Sequence, residues 1–153
     1  MQLANLLNSE HVACKVKSAS KKRALEELSL LIVRGEDHLS QSEVFECLVA
    51  RERLGSTGLG KGVAIPHGRL KSGDRAIAAF VQLQEGVDFD SPDGEPVDLL
   101  CALLVPQEST DEHLQILASL TEMFRNADLR DHLRQASDDE ALFKALSECF
   151  PKS

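Results

Sequence analysis

The stretch VDLLCALLV, Val97 to Val105, decides the fold of this 153-residue chain. A second apolar run extends from Ala76 to Leu83, and the turn-forming residues Ser91-Pro92-Asp93-Gly94 lie between the two runs. Strands that are apolar at nearly every position are buried on both faces, because an exposed face would alternate with polar residues. The two runs therefore predict a sheet covered on both sides in a layered α/β domain.

Helical patterns precede these strands. A short strand around His11 to Val16 is followed by a helix from about Lys21 to Arg34, in which apolar residues recur at helical spacing. A second helix begins at Ser40, which forms a capping-box pattern with Glu43, and stops at Gly55.

Helices also dominate the C-terminal part of the chain. Capping-box patterns at Ser109 with Glu112 and at Ser137 with Glu140 predict the start of two helices. A shorter helix between them uses Leu129 and Leu133. The apolar positions predicted for the two longer helices are Leu114, Leu117, Thr121 and Phe124, and Leu142, Ala145, Leu146 and Cys149.

Length and composition predict one domain over residues 1–153, since a chain of this size with 42% hydrophobic residues forms a single core. No apolar run approaches the roughly 20 residues that span a bilayer, and the N-terminus lacks the features of a secretory signal. We therefore expect a cytoplasmic protein without membrane insertion. The four cysteines are scattered, which does not favour a zinc or redox motif.

The net charge of -8 argues against general nucleic-acid binding, which requires Lys and Arg to neutralise phosphates. The charge is unevenly distributed along the chain. Residues 1–75 hold 12 Lys and Arg against 9 Asp and Glu, whereas the remaining residues hold 5 against 16. An anionic ligand would therefore be expected in the N-terminal half.

The glycine-rich stretch GSTGLGKGVAIPHGRL, Gly55 to Leu70, presents one histidine, His67, between Pro66 and Gly68. Proline restrains the backbone on one side, and glycine leaves the imidazole uncrowded on the other. This loop is bracketed by cationic residues, which favour an anion such as phosphate. They are Arg51, Arg53, Lys61, Arg69 and Lys71.

The sequence fits a nucleotide-binding site and a metal site at His67 poorly. Gly55 to Gly62 approaches the nucleotide-binding P-loop pattern, but Gly62 replaces the Ser or Thr that would hold magnesium. The segment also follows a helix instead of a strand. A metal site built from His67 and His113 lacks the usual ligand spacing. We expect neither a metal nor a cofactor.

Three segments together resemble the IIA domain of the bacterial phosphotransferase system, and its nitrogen-regulatory branch most closely. They are RERLGSTGLGKGVAIPHGRL, PVDLLCALLVP, and the H-L-x-x-L of His113 to Leu117. The resemblance covers about Leu3 to Leu146. It implies a sandwich of the mannitol and fructose IIA type, with a mixed sheet between helices, a phosphorylatable histidine at His67 and a second histidine, His113, beside it.

The expected chemistry is a phosphoryl transfer. A neutral imidazole is nucleophilic near pH 7, so His67 can attack phosphorus and hold the group as phosphohistidine. Arg51 and His113 are the candidates for stabilising that group, although Arg51, in the last turn of its helix, has a second explanation in the helix dipole. The remaining histidines are expected to be surface or structural residues: His11, His38 and His132.

Two functions remain open. In the first, the chain takes phosphate from a carrier protein of the HPr type and passes it to a IIB domain of a fructose- or mannitol-type sugar transporter. In the second, phosphorylation of His67 adds about -1.5 to -2 charge and regulates partner proteins such as a sensor kinase or a potassium transporter. The nitrogen-branch resemblance favours the regulatory function.

Overall fold

The two apolar runs become neighbouring strands of a six-stranded sheet. The computed structural model describes residues 6–71, 73, 75–108 and 110–149. The strands are β1 (Leu7–Val16), β2 (Gly58–Gly60), β3 (Val63–Ala64), β4 (His67–Leu70), β5 (Ile77–Val87) and β6 (Val97–Pro106). The helices are α1 (Lys21–Val33), α2 (Gln41–Arg53), α3 (Thr110–Phe124), α4 (Ala127–Arg134) and α5 (Asp139–Cys149).

The sheet is mixed, as the family resemblance implied. Its order is β1-β5-β6-β3-β2, and β4 also pairs with β6. β5 and β6 are antiparallel, with Phe80 opposite Cys101, whereas β1 runs parallel to β5. β3 and β4 both run parallel to β6, with His67 opposite Leu103. The strand that begins at His67 is therefore held in the sheet by its pairing with β6.

Helices cover both faces of this sheet, which explains why β6 is apolar throughout. On one face Leu99, Cys101 and Leu103 pack in a core with residues of α3, α4 and α5. On the other face Leu100 and Ala102 pack with residues of α1 and α2. Successive strand residues point to opposite faces, so both sets must be apolar. The predicted layered α/β sandwich is confirmed.

The N-terminal helices begin at side-chain caps. Ser40 accepts a hydrogen bond from the backbone N–H of Glu43 at 3.2 Å, as its capping pattern predicted, and Ser20 caps α1 in the same way. α2 then buries Val44, Leu48 and Glu52 on one face. Within the described residues, no helix combines the length and apolar character needed to cross a membrane.

The glycine-rich stretch is more regular than the loop that we predicted. It contains β2, β3 and β4, and β1 begins at Leu7, earlier than the predicted His11. Glycine-rich segments give a weak strand signal, because the stabilisation comes from backbone pairing, here of β2 with β3 and of β3 and β4 with β6, and not from side-chain pattern.

Two predictions for the C-terminal helices were wrong. Asp138, and not Ser137, caps α5, because its Oδ1 accepts from the backbone N–H of Ala141 at 2.8 Å. Leu114 is 59% exposed, whereas His113 and Ile116 are buried. The buried face of α3 is therefore rotated from the predicted one. The predicted cap at Ser109 lies outside the described residues.

Candidate active site

His67 opens β4 at the edge of a cleft. The carbonyl of Pro66 accepts a hydrogen bond from the backbone N–H of Leu103 at 2.9 Å, which joins the start of β4 to β6. The half-buried imidazole of His67 donates from Nδ1 to the carbonyl of Ile65 at 2.7 Å. A carbonyl only accepts, so the proton of the neutral ring lies on Nδ1 and Nε2 carries a lone pair.

The surroundings of His67 favour its neutral form. Burial lowers the pKa of His67 below its ordinary value, and the positive charge of Arg51 lowers it further. The hydrogen bond to Ile65 and the negative charge of Glu52 oppose this shift, with burial the largest contribution. A neutral imidazole is the form that can act as a nucleophile.

His113 lies next to His67, and its ring comes from α3. The ring centroids are 5.4 Å apart and the ring planes are inclined by 57°. Burial, then His67, Arg69 and Arg51, lower the pKa of His113. Its Nδ1 is buried without a hydrogen-bond partner among the described residues. Both histidines are thus held neutral side by side.

Both histidines line a cleft of about 850 Å³ that is bordered by charged residues. Arg51, Arg69 and Lys71 contribute cations to the cleft, and Glu43 and Glu46 lie on its α2 side. Arg51 is held at the end of α2, where its Nη1 donates to the carbonyl of Gly55 at 2.8 Å. The structure therefore brings together the three predicted site residues, His67, His113 and Arg51.

Arg69 was not among the three residues predicted for the site. It follows His67 by two positions in β4 and so belongs to the same face of the strand. Its charge lowers the pKa of His113, after burial and His67. Alternate residues of a strand share a face, so a strand prediction for this segment would have identified Arg69. We predicted a loop here instead.

Gly68 also has a packing role that its position next to His67 in the sequence did not indicate. A Cβ on Gly68 would lie 2.5 Å from Sγ of Cys47, so the glycine is needed for the close approach of β4 to α2. The thiol of Cys47 donates to the carbonyl of Arg69 at 3.3 Å. Burial raises the pKa of Cys47, which keeps the thiol protonated and weakly nucleophilic.

The other sequence features lie outside this cleft. His11 is buried and its Nε2 donates to the carbonyl of Arg34 at 2.8 Å, which makes it a structural residue. The P-loop-like segment leads into β3, and not into a helix. Within the described ranges, no cluster of His, Cys, Asp and Glu has the arrangement of a metal site.

Comparison with known proteins gives a consistent result. A family model, "Phosphoenolpyruvate-dependent sugar phosphotransferase system, EIIA 2", matches residues 5–149. The nitrogen regulatory protein of Pseudomonas aeruginosa is 45% identical over 146 residues, which cover 95% of each chain. The crystal structure of nitrogen regulatory protein IIA-Ntr from Neisseria meningitidis is 45% identical with a TM-score of 0.87, and the match covers 94% of this chain and 98% of that one. The mannitol IIA of Escherichia coli is 25% identical with a TM-score of 0.75, covering 92% of this chain and 98% of that one.

Proposed function

This chain belongs to the EIIA type 2 family of the phosphoenolpyruvate-dependent sugar phosphotransferase system, and on that premise we propose that His67 accepts and donates a phosphoryl group. The donor is the phosphohistidine of an HPr-like carrier protein. The observation that carries the proposal is the hydrogen bond from Nδ1 of His67 to Ile65, which leaves the lone pair on Nε2.

The transfer needs no net movement of a proton. The lone pair of Nε2 attacks phosphorus, and a new N–P bond forms as the N–P bond to the donor histidine breaks. The electron pair of the broken bond returns to the donor ring as its lone pair. Nδ1 keeps its proton throughout, bonded to the carbonyl of Ile65.

Positive groups around His67 suit this reaction. The transferring phosphoryl group spreads negative charge over its equatorial oxygens, so fixed cations and donors lower the barrier. Arg51 and Arg69 supply charge at the cleft, and His113 lies 5.4 Å from His67 between ring centroids. We assign all three to stabilising the phosphoryl group.

An exposed apolar residue at the cleft agrees with a donor that is itself a protein. Leu54 lines the cleft just beyond the end of α2 and is 85% exposed. A small anion does not need an apolar rim, whereas a protein surface can bury one. Leu54 is therefore the apolar contact that we expect a carrier protein to cover.

The phosphorylation state of His67 then regulates partner proteins, such as a sensor kinase or a potassium transporter. The support is the name of the relative at 45% identity, a nitrogen regulatory protein. A phosphate at the cleft adds about -1.5 to -2 charge. The cationic cleft attracts an acidic partner surface, and the phosphorylated cleft would repel it. The second candidate, a IIA phosphocarrier that supplies a sugar-specific IIB domain, is supported by the match to mannitol IIA.

A labelling experiment tests the phosphoryl-transfer role. The purified protein is incubated with a phosphorylated HPr-like carrier, and we expect an acid-labile, base-stable phosphate on Nε2 of His67. His67→Ala should abolish the label, whereas His132→Ala, at an exposed histidine on α4, should not. Label on another histidine, or equal labelling of His67→Ala, contradicts the assignment.

A second experiment separates the two functions. The phosphorylated protein and His67→Ala are used as baits, and the captured proteins are compared. A regulatory function predicts partners whose binding depends on phosphorylation, with no transfer of phosphate onto them. Rapid transfer to a sugar-specific IIB domain would establish the phosphocarrier function instead.

A further inference from the structure

Glu52 follows Arg51 in α2. The side chain of Arg51 lines the cleft, whereas the carboxylate of Glu52 is buried inside the protein. Its side chain is 5% exposed and lies 3.0 Å from Nζ of Lys21. Oε1 accepts from the backbone N–H of Thr57 at 3.0 Å, and Oε2 accepts from its hydroxyl at 2.5 Å. Both carboxylate oxygens are thus used to hold one residue at the start of the glycine-rich stretch.

Thr57 passes this restraint to the residue that hydrogen-bonds His67. The carbonyl of Thr57 accepts from the backbone N–H of Ile65 at 3.1 Å, and the carbonyl of Ile65 accepts from Nδ1 of His67 at 2.7 Å. The neighbouring pairing of Gly58 with Ala64 keeps the two segments in register. We call this chain of hydrogen bonds, from Glu52 through Thr57 and Ile65 to His67, the glutamate relay.

The other neighbours of Glu52 hold its carboxylate in place. Lys21 neutralises the carboxylate and also lies 3.6 Å from Oδ2 of Asp90 and 4.7 Å from the ring centroid of Phe89. A buried carboxylate that is paired and accepts hydrogen bonds is costly to disturb, because removing one partner leaves the rest unsatisfied. The carboxylate is therefore a firm support for Thr57.

We propose that Glu52 is a positioning residue for phosphoryl transfer, because the glutamate relay fixes the tautomer of His67 with its lone pair on Nε2. The inference rests on the proposed role of His67 as phosphoryl acceptor. A neutral imidazole in water exchanges its proton between the two nitrogens, and the hydrogen bond made by one nitrogen decides which is free. A displaced Ile65 carbonyl would release Nδ1 and let the proton move to Nε2, where it blocks attack on phosphorus.

The tautomer of His67 can be measured in the unphosphorylated protein by ¹⁵N NMR of labelled histidine. We expect wild type to show a protonated Nδ1 and an unprotonated Nε2. Glu52→Ala should give a mixture of tautomers and slow the labelling of His67 by up to roughly 100-fold, the effect of a small misplacement of a reacting group. Glu52→Gln should keep the wild-type tautomer, since its amide oxygen can accept from the backbone N–H of Thr57 and its amide nitrogen can donate to the Thr57 hydroxyl oxygen. The labelling rate of this variant should stay within roughly threefold of the wild-type rate.

Glu36→Ala is the matched control. The side chain of Glu36 is 8% exposed and pairs with Arg75 at 2.7 Å, outside the glutamate relay. This variant should lose stability without changing the tautomer of His67. If Glu52→Ala is isolated only as unfolded protein, Thr57→Val takes its place, because it removes the hydroxyl bond alone and should populate the second tautomer in part.

The inference is overturned if folded Glu52→Ala, or Thr57→Val in its place, keeps the wild-type tautomer. It is also overturned if Glu36→Ala shifts the tautomer as much. A failure of the proposed phosphoryl-acceptor role can be told apart from a failure of this inference. In the first case the label would appear on a residue other than His67, while Glu52→Ala would still change the tautomer of His67.

Discussion

The imidazole of His67, at the start of β4, and that of His113, in the first turns of α3, have centroids only 5.4 Å apart. His67 is itself a cause of the lowered pKa of His113, second to burial. A substitution at His67 should therefore be visible in the titration of His113.

His113→Gln should slow labelling of His67 by roughly 10- to 100-fold without abolishing it, because one group that we assign to the phosphoryl oxygens is lost while the proposed acceptor, His67, remains. Conversely, His67→Ala should raise the pKa of His113 towards its ordinary value, since it removes a ring that helps to bury His113 and that, when protonated, disfavours a second proton on His113. Initial labelling rates and NMR titration of His113 measure the two effects. An unchanged rate in His113→Gln would remove this residue from the site.

Folding stability should decrease on acidification because of the same two rings. Their folded-state pKa values are lowered from 6.5, so the unfolded chain binds more protons as the pH falls through that value. The stabilisation is therefore present above pH 6.5 and is lost as the pH falls through the lower folded-state pKa values.

We expect the free energy of unfolding, measured with urea at pH 7.5 and 5.5, to fall more steeply in wild type than in the double variant His67→Gln and His113→Gln. The exposed residue His132 provides the control substitution, His132→Gln, which should follow wild type. An equal loss in wild type and the double variant would show that these rings are not held neutral.

The sheet was predictable because β5 and β6 are covered on both faces, and such strands must be apolar at nearly every position. The buried face of α3 was not predictable, because the apolar residues of its first turns point in different directions around the helix. These residues are Leu114, Ile116 and Leu117. Packing of α3 against the sheet selects Ile116 and exposes Leu114. Single-sequence periodicity cannot make that choice.

The site was predictable only in part. His67 has a distinctive local sequence, and the family resemblance implied its proximity to His113, but no spacing in the sequence predicts that contact. Glu52 looks like a solvated charge in a helix that also carries Arg51 and Arg53. Its burial arises from the fold, because it faces Thr57 only after the glycine-rich stretch turns back against α2.

Arg51→Gln should slow labelling of His67 by roughly 100-fold, the effect of removing a fixed donor for developing negative charge. It should also raise the pKa of His67, since the charge of Arg51 lowers that pKa. The rate loss should therefore be larger at pH 6 than at pH 8, where the ring is neutral in both proteins. Arg53→Gln, at an exposed arginine of the same turn, is the matched control. Equal rates for the two variants would restrict Arg51 to stabilising the end of α2.

Leu54→Glu should weaken recognition of the carrier protein without changing the chemistry at His67. Leu54 is 85% exposed at the cleft, so the substitution costs the folded protein little stability. A charge that replaces an apolar contact in a protein interface is unfavourable, and we expect the KM for the phosphorylated carrier to rise about tenfold while kcat stays near wild type. Leu30→Glu, at another exposed leucine on α1, is the control. A lower kcat with an unchanged KM would contradict a docking role.

Gly68→Ala should destabilise the protein through Cys47. The added Cβ would lie 2.5 Å from Sγ and 3.4 Å from the carbonyl oxygen of Cys47, so β4 must move away from α2. We expect a loss of about 1–3 kcal/mol in the free energy of unfolding, typical of overpacking, together with slower labelling of His67. Cys47→Ala removes the sulfur, and the double variant should recover most of both losses, which a double-mutant cycle in urea unfolding and labelling rate would measure. Additive losses in the cycle would mean that the glycine is required for a reason other than its contact with this thiol.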